Sequence, residues 1–149
     1  MKEIQKNGFM VSGFSVRTSN QDEMNPGKGK IAGLWQDFST ILHREGIQPT
    51  AVYGVYSDYA SDEHGEYDVT AAITGVFPHA ERRELHIPSG RYLRFEKQGP
   101  LPGAALALWQ EIWDYFRQGA TVKRTYLFDF EEYTGPKSVA IYIGIKEEV

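Results

Sequence analysis

The feature that most constrains this chain of 149 residues is an internal repeat. The segment LWQDF at 34–38 recurs as LWQEI at 108–112, and at the same offset YSDY at 56–59 meets FEEY at 130–133. Further upstream in each half, SGFSVR resembles SGRYLR. Three pieces in the same order predict two related halves, at about 8–77 and 84–147, within a single domain spanning 1–149.

Each half has the hydrophobic pattern of a strand, a helix and two further strands. We therefore expect an α+β fold of two pseudo-twofold β-α-β-β repeats, of the SHS2-like type. Two helices should cover one side of an antiparallel sheet, and a ligand cleft should lie between the repeats. The predicted elements are a strand at 9–17, a helix at 30–45, strands at 51–58 and 67–76, a strand at 90–97, a helix at 102–118 and a hairpin within 126–145.

The closing hairpin, YLFDFEEYTGPKSVAIYIGI, carries three carboxylates in a run of strongly β-prone residues. Side chains alternate across a strand. One register, with Phe130 and Ile141, holds the apolar side chains that we expect to face the helices. The other register combines tyrosines, small residues and carboxylates, among them Glu131 and Tyr142. Glu132 falls in the helix-facing register near a strand end, where we expect it to reach solvent.

A sheet face with tyrosines, small residues and few carboxylates suits the wall of a small-ligand site. An anionic group among tyrosine rings attracts organic cations through Coulomb attraction and cation–π contact. We expect Glu131 to be the anchor for amphipathic aromatic, chiefly cationic, small molecules. The alternative interpretation is a solvated Glu131, surface tyrosines and a tryptophan that anchors the core. The predicted walls are Tyr142, Tyr133, Tyr92, Tyr53 and, from the helix side, Trp109.

The repeat pattern, LWQEIWDYF in the second helix, FEEY in the next strand and VAIYIGI at the end resemble the GyrI-like small-molecule-binding domain, from about Gly8 to Lys146. This domain is the effector-binding module of bacterial AraC- and MerR-type multidrug regulators. It also occurs alone, including in mobile-cassette-encoded forms. The resemblance implies a channel between the repeats for amphipathic aromatic cations, with an acidic residue matching Glu131 and an aromatic residue matching Tyr142.

The chain carries no helix-turn-helix pattern before Gly8 or after the last predicted strand. We therefore expect no direct nucleic-acid binding, and transcription regulation only through a partner protein. The balance of 16 basic and 20 acidic residues, a net charge of −4, agrees with this, because nucleic-acid affinity comes chiefly from Lys and Arg.

The composition excludes several kinds of site. The chain has no cysteine, which rules out disulfides, zinc thiolates and thiol nucleophiles. The four histidines have no metal-ligand spacing, so we expect neither a metal nor a cofactor. We find no signal peptide and no apolar run that could span a membrane, and we expect a cytoplasmic protein without a membrane partner. A protein partner or a homodimer is left open.

Two other functions stay open beside ligand binding. Some members of the resembled family hydrolyse strained electrophilic toxins, which implies Glu131 as a general base with Tyr142 or Tyr133 as hydrogen-bond donor. A protein that inhibits another enzyme through surface contact would need neither Glu131 nor a cleft. Binding without turnover is the favoured interpretation.

Overall fold

The computed structural model describes residues 1–147, so the predicted domain ends two residues beyond the described part. It confirms the α+β class. Both long helices begin and end within one residue of their predicted limits. The described chain contains, in order, β1 (Lys2–Lys6), β2 (Phe9–Ser19), α1 (Asn20–Glu23), α2 (Ile31–Arg44), β3 (Val52–Ser57), β4 (Glu66–Thr74), β5 (Arg83–Ile87), β6 (Gly90–Gln98), α3 (Gly103–Arg117), β7 (Arg124–Gly135) and β8 (Ser138–Ile145).

These eight strands of the described chain form one antiparallel sheet in the order β1-β6-β8-β7-β3-β4-β2-β5. The two repeats meet where β3 pairs with β7, which places Gly54 opposite Glu131. We call this pairing the central seam. Repeat one (β2, α2, β3 and β4) lies on one side of it, and repeat two (β6, α3, β7 and β8) lies on the other.

Strands β1 and β5 were not predicted from the sequence, and each pairs with the other repeat. The segment 78–83, which separates the two predicted halves, ends at the start of β5. Two-residue connections join β1 to β2 and β5 to β6, although the joined strands lie toward opposite ends of the strand order. The sheet must therefore curl so that its ends approach. The two connections do touch, since a Cβ on Gly8 would lie 2.9 Å from the carbonyl oxygen of Ile87 and 3.1 Å from the amide nitrogen of Ser89.

Helices α2 and α3 pack on the same face of the sheet, each over its own repeat. Their apolar stripes are buried as the helical spacing predicts, with Leu34 and Phe38 in α2 and Leu108 and Ile112 in α3. Helix α2 ends at Arg44, and Gly46 shortly after it has a φ of 66°, the left-handed conformation typical of the residue that follows a helix C-terminus. No helix within residues 1–147 is long and apolar enough to cross a membrane.

The opposite face of the sheet, which we call the helix-free face, is also a packed core. Its members include Phe130, which is fully buried, and Tyr142, whose ring stacks on that of Phe130 at 4.5 Å. The ring of Phe9 contacts Phe130 from the start of β2. The curl of the sheet closes over these side chains, so no covering helix of the described chain is needed.

The predicted faces of the closing hairpin are wrong in β7. Phe130 pairs with Tyr142 and Glu131 pairs with Ile141, so Glu131 lies beneath the helices while Phe130 points away from them. The register shifts between Glu132 and Gly135, next to the turn. A shift of one residue moves every side chain of a strand to the other face, which accounts for the error.

Glu132, predicted to reach solvent on the helix side, is also placed differently by this shift. It lies on the helix-free face, where its carboxylate accepts hydrogen bonds from the hydroxyls of Tyr53 at 3.2 Å and Tyr142 at 3.3 Å. The two adjacent carboxylates, Glu131 and Glu132, therefore point to opposite faces of the sheet.

Because the helix-free face is a core, Phe130→Ala should lower the free energy of unfolding by about 3–5 kcal/mol. Phe128→Ala, on the same strand and face but only half-buried, is the matched control and should cost clearly less. Urea unfolding of both variants gives the comparison. Equal losses would mean that the helix-free face is not packed as described.

Candidate functional site

Glu131 lies at the central seam with its side chain beneath both helices, and only 4% of the residue is exposed. Its Oε2 accepts hydrogen bonds from Nε1 of Trp109 at 2.7 Å and from the hydroxyl of Tyr56 at 3.1 Å. The hydroxyl of Tyr133 also donates to this carboxylate. Among residues 1–147, no Lys, Arg or His forms an ion pair with Glu131. Three neutral donors thus hold a buried acidic group.

A pair of crossed aromatic contacts surrounds Glu131. The ring of Trp109 in α3 packs edge-on against Tyr56 of the other repeat, with centroids 5.1 Å apart. The ring of Trp35 in α2 packs in the same manner against Tyr133, at 5.6 Å. The repeated LWQ segments therefore place one tryptophan on each side of the carboxylate, and each reaches across the seam.

Gly54 provides the room that the Glu131 carboxylate occupies. A Cβ at position 54 would lie 2.3 Å from Oε1 of Glu131 and 3.1 Å from Cζ2 of Trp35. The first distance is shorter than Cβ atoms show in proteins, and the second is unusually tight. Position 54 therefore has to be glycine because of the side chains of Glu131 and Trp35, and not because of the conformation of β3.

Burial is the main influence on the acidity of these groups. Desolvation raises the pKa of Glu131, and the hydrogen bonds from Trp109, Tyr133 and Tyr56 oppose this only in part. Desolvation also raises the pKa of Tyr56 and of Tyr133, and the nearby charge of Glu131 raises both further. The two hydroxyls therefore keep their protons at neutral pH and serve as donors.

Asp129, two residues before Glu131 in β7, shows the contrasting arrangement. This residue is fully buried, but its Oδ2 lies 2.8 Å from a guanidinium nitrogen of Arg124, and Tyr59 donates to the same oxygen. Its Oδ1 accepts the backbone amide of Gly144 at 2.9 Å. Asp129 thus has a cationic partner inside the protein, and Glu131 does not.

A groove runs between α2 and α3 above the seam, with a volume of about 120 Å³. We call it the inner groove. Tyr56 and Trp109 form part of its wall and both bind Glu131, so the carboxylate lies directly behind this wall. The other aromatic residues of the wall are Tyr59, Tyr67 and Trp113. Glu23 and Glu63 add negative charge, and Arg124, which pairs with Asp129, adds one positive charge.

The structure divides the six predicted site residues between the two faces of the sheet. Glu131, Tyr133 and Trp109 come together beneath the helices. Tyr142 and Tyr53 lie on the helix-free face, where both contact Glu132. Tyr142 therefore cannot be the hydrogen-bond donor that assists Glu131 in the hydrolase alternative. Tyr133, the other predicted donor, does contact Glu131.

Tyr92, the sixth of these residues, also lies on the helix-free face, and its hydroxyl donates to the carbonyl of Pro88 at 2.7 Å. Cations of the chain itself already lie near the tyrosines of this face. The ammonium of Lys6 lies 5.5 Å from the ring centroid of Tyr142, and Nε of Arg94 donates to the Tyr142 hydroxyl at 3.1 Å.

Sequence reasoning missed Tyr56, Trp35 and Gly54 as parts of the site. The repeat alignment matched Tyr56 with Phe130, but Tyr56 packs beneath the helices and Phe130 packs on the helix-free face. The same sequence offset that matches equivalent residues in the two helices therefore does not match structurally equivalent residues in the strands. The LWQ repeat was the usable signal, because it marks Trp35 and Trp109 as equivalent.

The chain matches a protein family described as Cass2, integron-associated effector binding protein, over residues 4–145. An integron cassette protein from the mobile metagenome of Vibrio cholerae is 37% identical, with 97% of this chain and 95% of that one covered and a TM-score of 0.91. These findings confirm the resemblance drawn from the sequence. No curated protein sequence matches the chain.

The fold is shared with a more distant protein as well. The structure of SAV2435 bound to tetraphenylphosphonium is 20% identical, with 97% of this chain and 93% of that one covered and a TM-score of 0.74. At this identity the likeness establishes the common fold.

Gly54→Ala should destabilise the protein, because the added methyl group collides with Glu131 and Trp35. The loss should be smaller when Glu131 is also replaced by Ala, since the double variant frees the space. Urea unfolding of the two single variants and the double variant measures this coupling. Gly33→Ala, where a Cβ has no neighbour within 4 Å, is the control and should be neutral or stabilising. Additive losses at 54 and 131 would contradict the proposed contact.

The raised pKa of Glu131 predicts a pH-dependent stability. The folded protein holds its proton to higher pH than the unfolded chain, so stability falls as pH rises from the unfolded value of about 4.3 through the folded pKa. Glu131→Gln lacks this titration. The stability of the variant relative to wild type should therefore increase between about pH 4 and neutral pH, as measured by urea unfolding. A pH-independent difference would mean an ordinary pKa.

Proposed function

Since the chain belongs to the family of integron-associated effector binding proteins, we propose that it binds amphipathic aromatic cations in the inner groove, with Glu131 as the anionic anchor. The observation that carries this proposal is the buried Glu131 carboxylate, held by three neutral donors without a cationic partner in the described chain. A ligand cation would supply the missing charge.

The walls of the groove suit the same class of ligand. Tyr56, Trp109 and Trp113 line the groove, and the rings of tryptophan and tyrosine attract cations through cation–π contact. The low dielectric around Glu131 strengthens its attraction for a cation relative to a solvated carboxylate. The phosphonium that SAV2435 binds is an aromatic cation of this chemistry, which supports the proposal.

The size of the groove sets a condition on binding. Its volume of about 120 Å³ is below the ~300 Å³ or more that drug-sized ligands occupy. A ligand must therefore displace a wall side chain or separate the two helices. Trp109 and Tyr56 stand between the groove and Glu131, so moving either one brings the carboxylate within reach of a bound cation.

Tyr133 remains part of this proposed site as a donor to Glu131. The other three predicted wall residues do not line the inner groove. They pack in the core of the helix-free face, on the other side of the sheet from the groove, and these are Tyr142, Tyr92 and Tyr53. A homodimer, a protein partner and a cytoplasmic location stay predictions from the sequence. The same holds for hydrolysis with Glu131 and Tyr133 and for inhibition of another enzyme by surface contact.

Fluorescence titration with tetraphenylphosphonium or a lipophilic rhodamine should give saturable binding to the wild-type protein. Glu131→Gln should weaken it about thirtyfold, because a desolvated charge–cation contact contributes about 2 kcal/mol or more. Glu132→Gln is the matched control, since it removes the adjacent carboxylate on the opposite face. It should bind as the wild type does.

The reverse pattern, with binding weakened by Glu132→Gln and unaffected by Glu131→Gln, would move the site to the helix-free face. Absence of binding, or equal affinity of all three proteins, would contradict the proposed anchor.

A further inference from the structure

A second, larger cavity of about 1100 Å³ lies at the end of the groove away from the turn of the closing hairpin. We call it the outer cavity. It shares Asn20, Glu63, Trp113 and Arg124 with the inner groove, so the two spaces are contiguous. Exposed apolar side chains line it, with Met24 73% and Leu127 64% exposed.

The charge of the outer cavity is opposite to that of the inner groove. Lys123 and Lys146 both line the outer cavity, and the amide of Lys146 donates to the carbonyl of Lys123 at 2.9 Å, which holds the two residues side by side. Within residues 1–147, neither ammonium forms an ion pair. Because their backbones are paired, an anion bound within reach of both ammonium groups would gain Coulomb attraction from each.

The backbone at this end of β7 is in an unusual conformation. Tyr126 has a φ of 54°, which is rare for a residue other than glycine. Its ring lies 4.4 Å from the guanidinium carbon of Arg124, and its hydroxyl donates to Glu63 of the other repeat. Backbone outliers of this kind concentrate at ligand sites, and this one lies in the wall of the outer cavity.

We infer that the outer cavity is a subsite for an acidic group on an apolar body, which makes the preferred ligand a two-ended amphiphile. This inference rests on the proposed function of the inner groove. The cationic aromatic end lies over Glu131, and the acidic end lies between Lys123 and Lys146. Arg124 pairs with Ile145 of β8 and Glu131 pairs with Ile141, so the two positions are four β8 residues apart, which corresponds to roughly 13 Å of strand. A ligand that reaches both ends must span this distance.

Calorimetric titration with alkyl triphenylphosphonium ions tests the subsite. The ions carry either a carboxylate or a carboxamide at the chain end and are compared in a short and a long version. With the wild type, the long carboxylate should bind at least about threefold more tightly than the long carboxamide, as expected for a partly exposed ion pair. The short pair should show no difference.

The double variant Lys123→Gln/Lys146→Gln should abolish the preference for the long carboxylate and leave carboxamide affinity unchanged. Lys137→Gln, in the turn between β7 and β8, is the control and should keep the preference. Equal affinity of the two long ions for the wild type would overturn the inference. So would a loss in the double variant that affects both ions equally.

Anilinonaphthalene sulfonate separates failure of the subsite from failure of the proposed function. This amphipathic anion should bind the wild type and lose affinity in the double lysine variant. If no phosphonium binds but the anion depends on the two lysines, the inner-groove function fails and the basic subsite stands. Anion binding that is absent, or indifferent to the two substitutions, overturns the subsite.

Discussion

The structure depends on one buried carboxylate at the seam between its two repeats. Glu131 has been removed from water, yet its charge is met by the indole of Trp109 and by two tyrosine hydroxyls, not by a cation. Such a group destabilises the folded protein when ionised, because desolvation is only partly offset by neutral donors. Its retention at the centre of the sheet is understandable if the missing cation is a ligand.

The repeat architecture explains how this group is held. The crossed contacts of Trp35 with Tyr133 and of Trp109 with Tyr56 link each helix to the other repeat and enclose the carboxylate from both sides. The curl of the sheet buries Phe130 on the opposite face and so supports the seam from below. A cation entering the inner groove would thus meet walls that belong to both repeats.

The repeat, both long helices and the fold class could be predicted from the sequence, because helical spacing and the LWQ segments are local signals. The sequence predicted Glu131 as the anchor, a role that stays a prediction, but it did not predict the face on which Glu131 lies or its hydrogen-bond partners. The register shift between Glu132 and Gly135 moves Glu131 away from Tyr142, and no residue pattern marks that shift. Both faces of the sheet are buried, so alternation of apolar residues could not show which face the helices cover.

The most direct test of this account is the pKa of Glu131, measured by carbon-13 NMR of its side-chain carboxyl group with and without tetraphenylphosphonium. The account predicts a pKa above the usual glutamate range in the free protein, because burial disfavours the charged form. Cation binding should lower this pKa, since a nearby positive charge favours ionisation. An ordinary pKa that does not change when the cation binds would contradict the central claim.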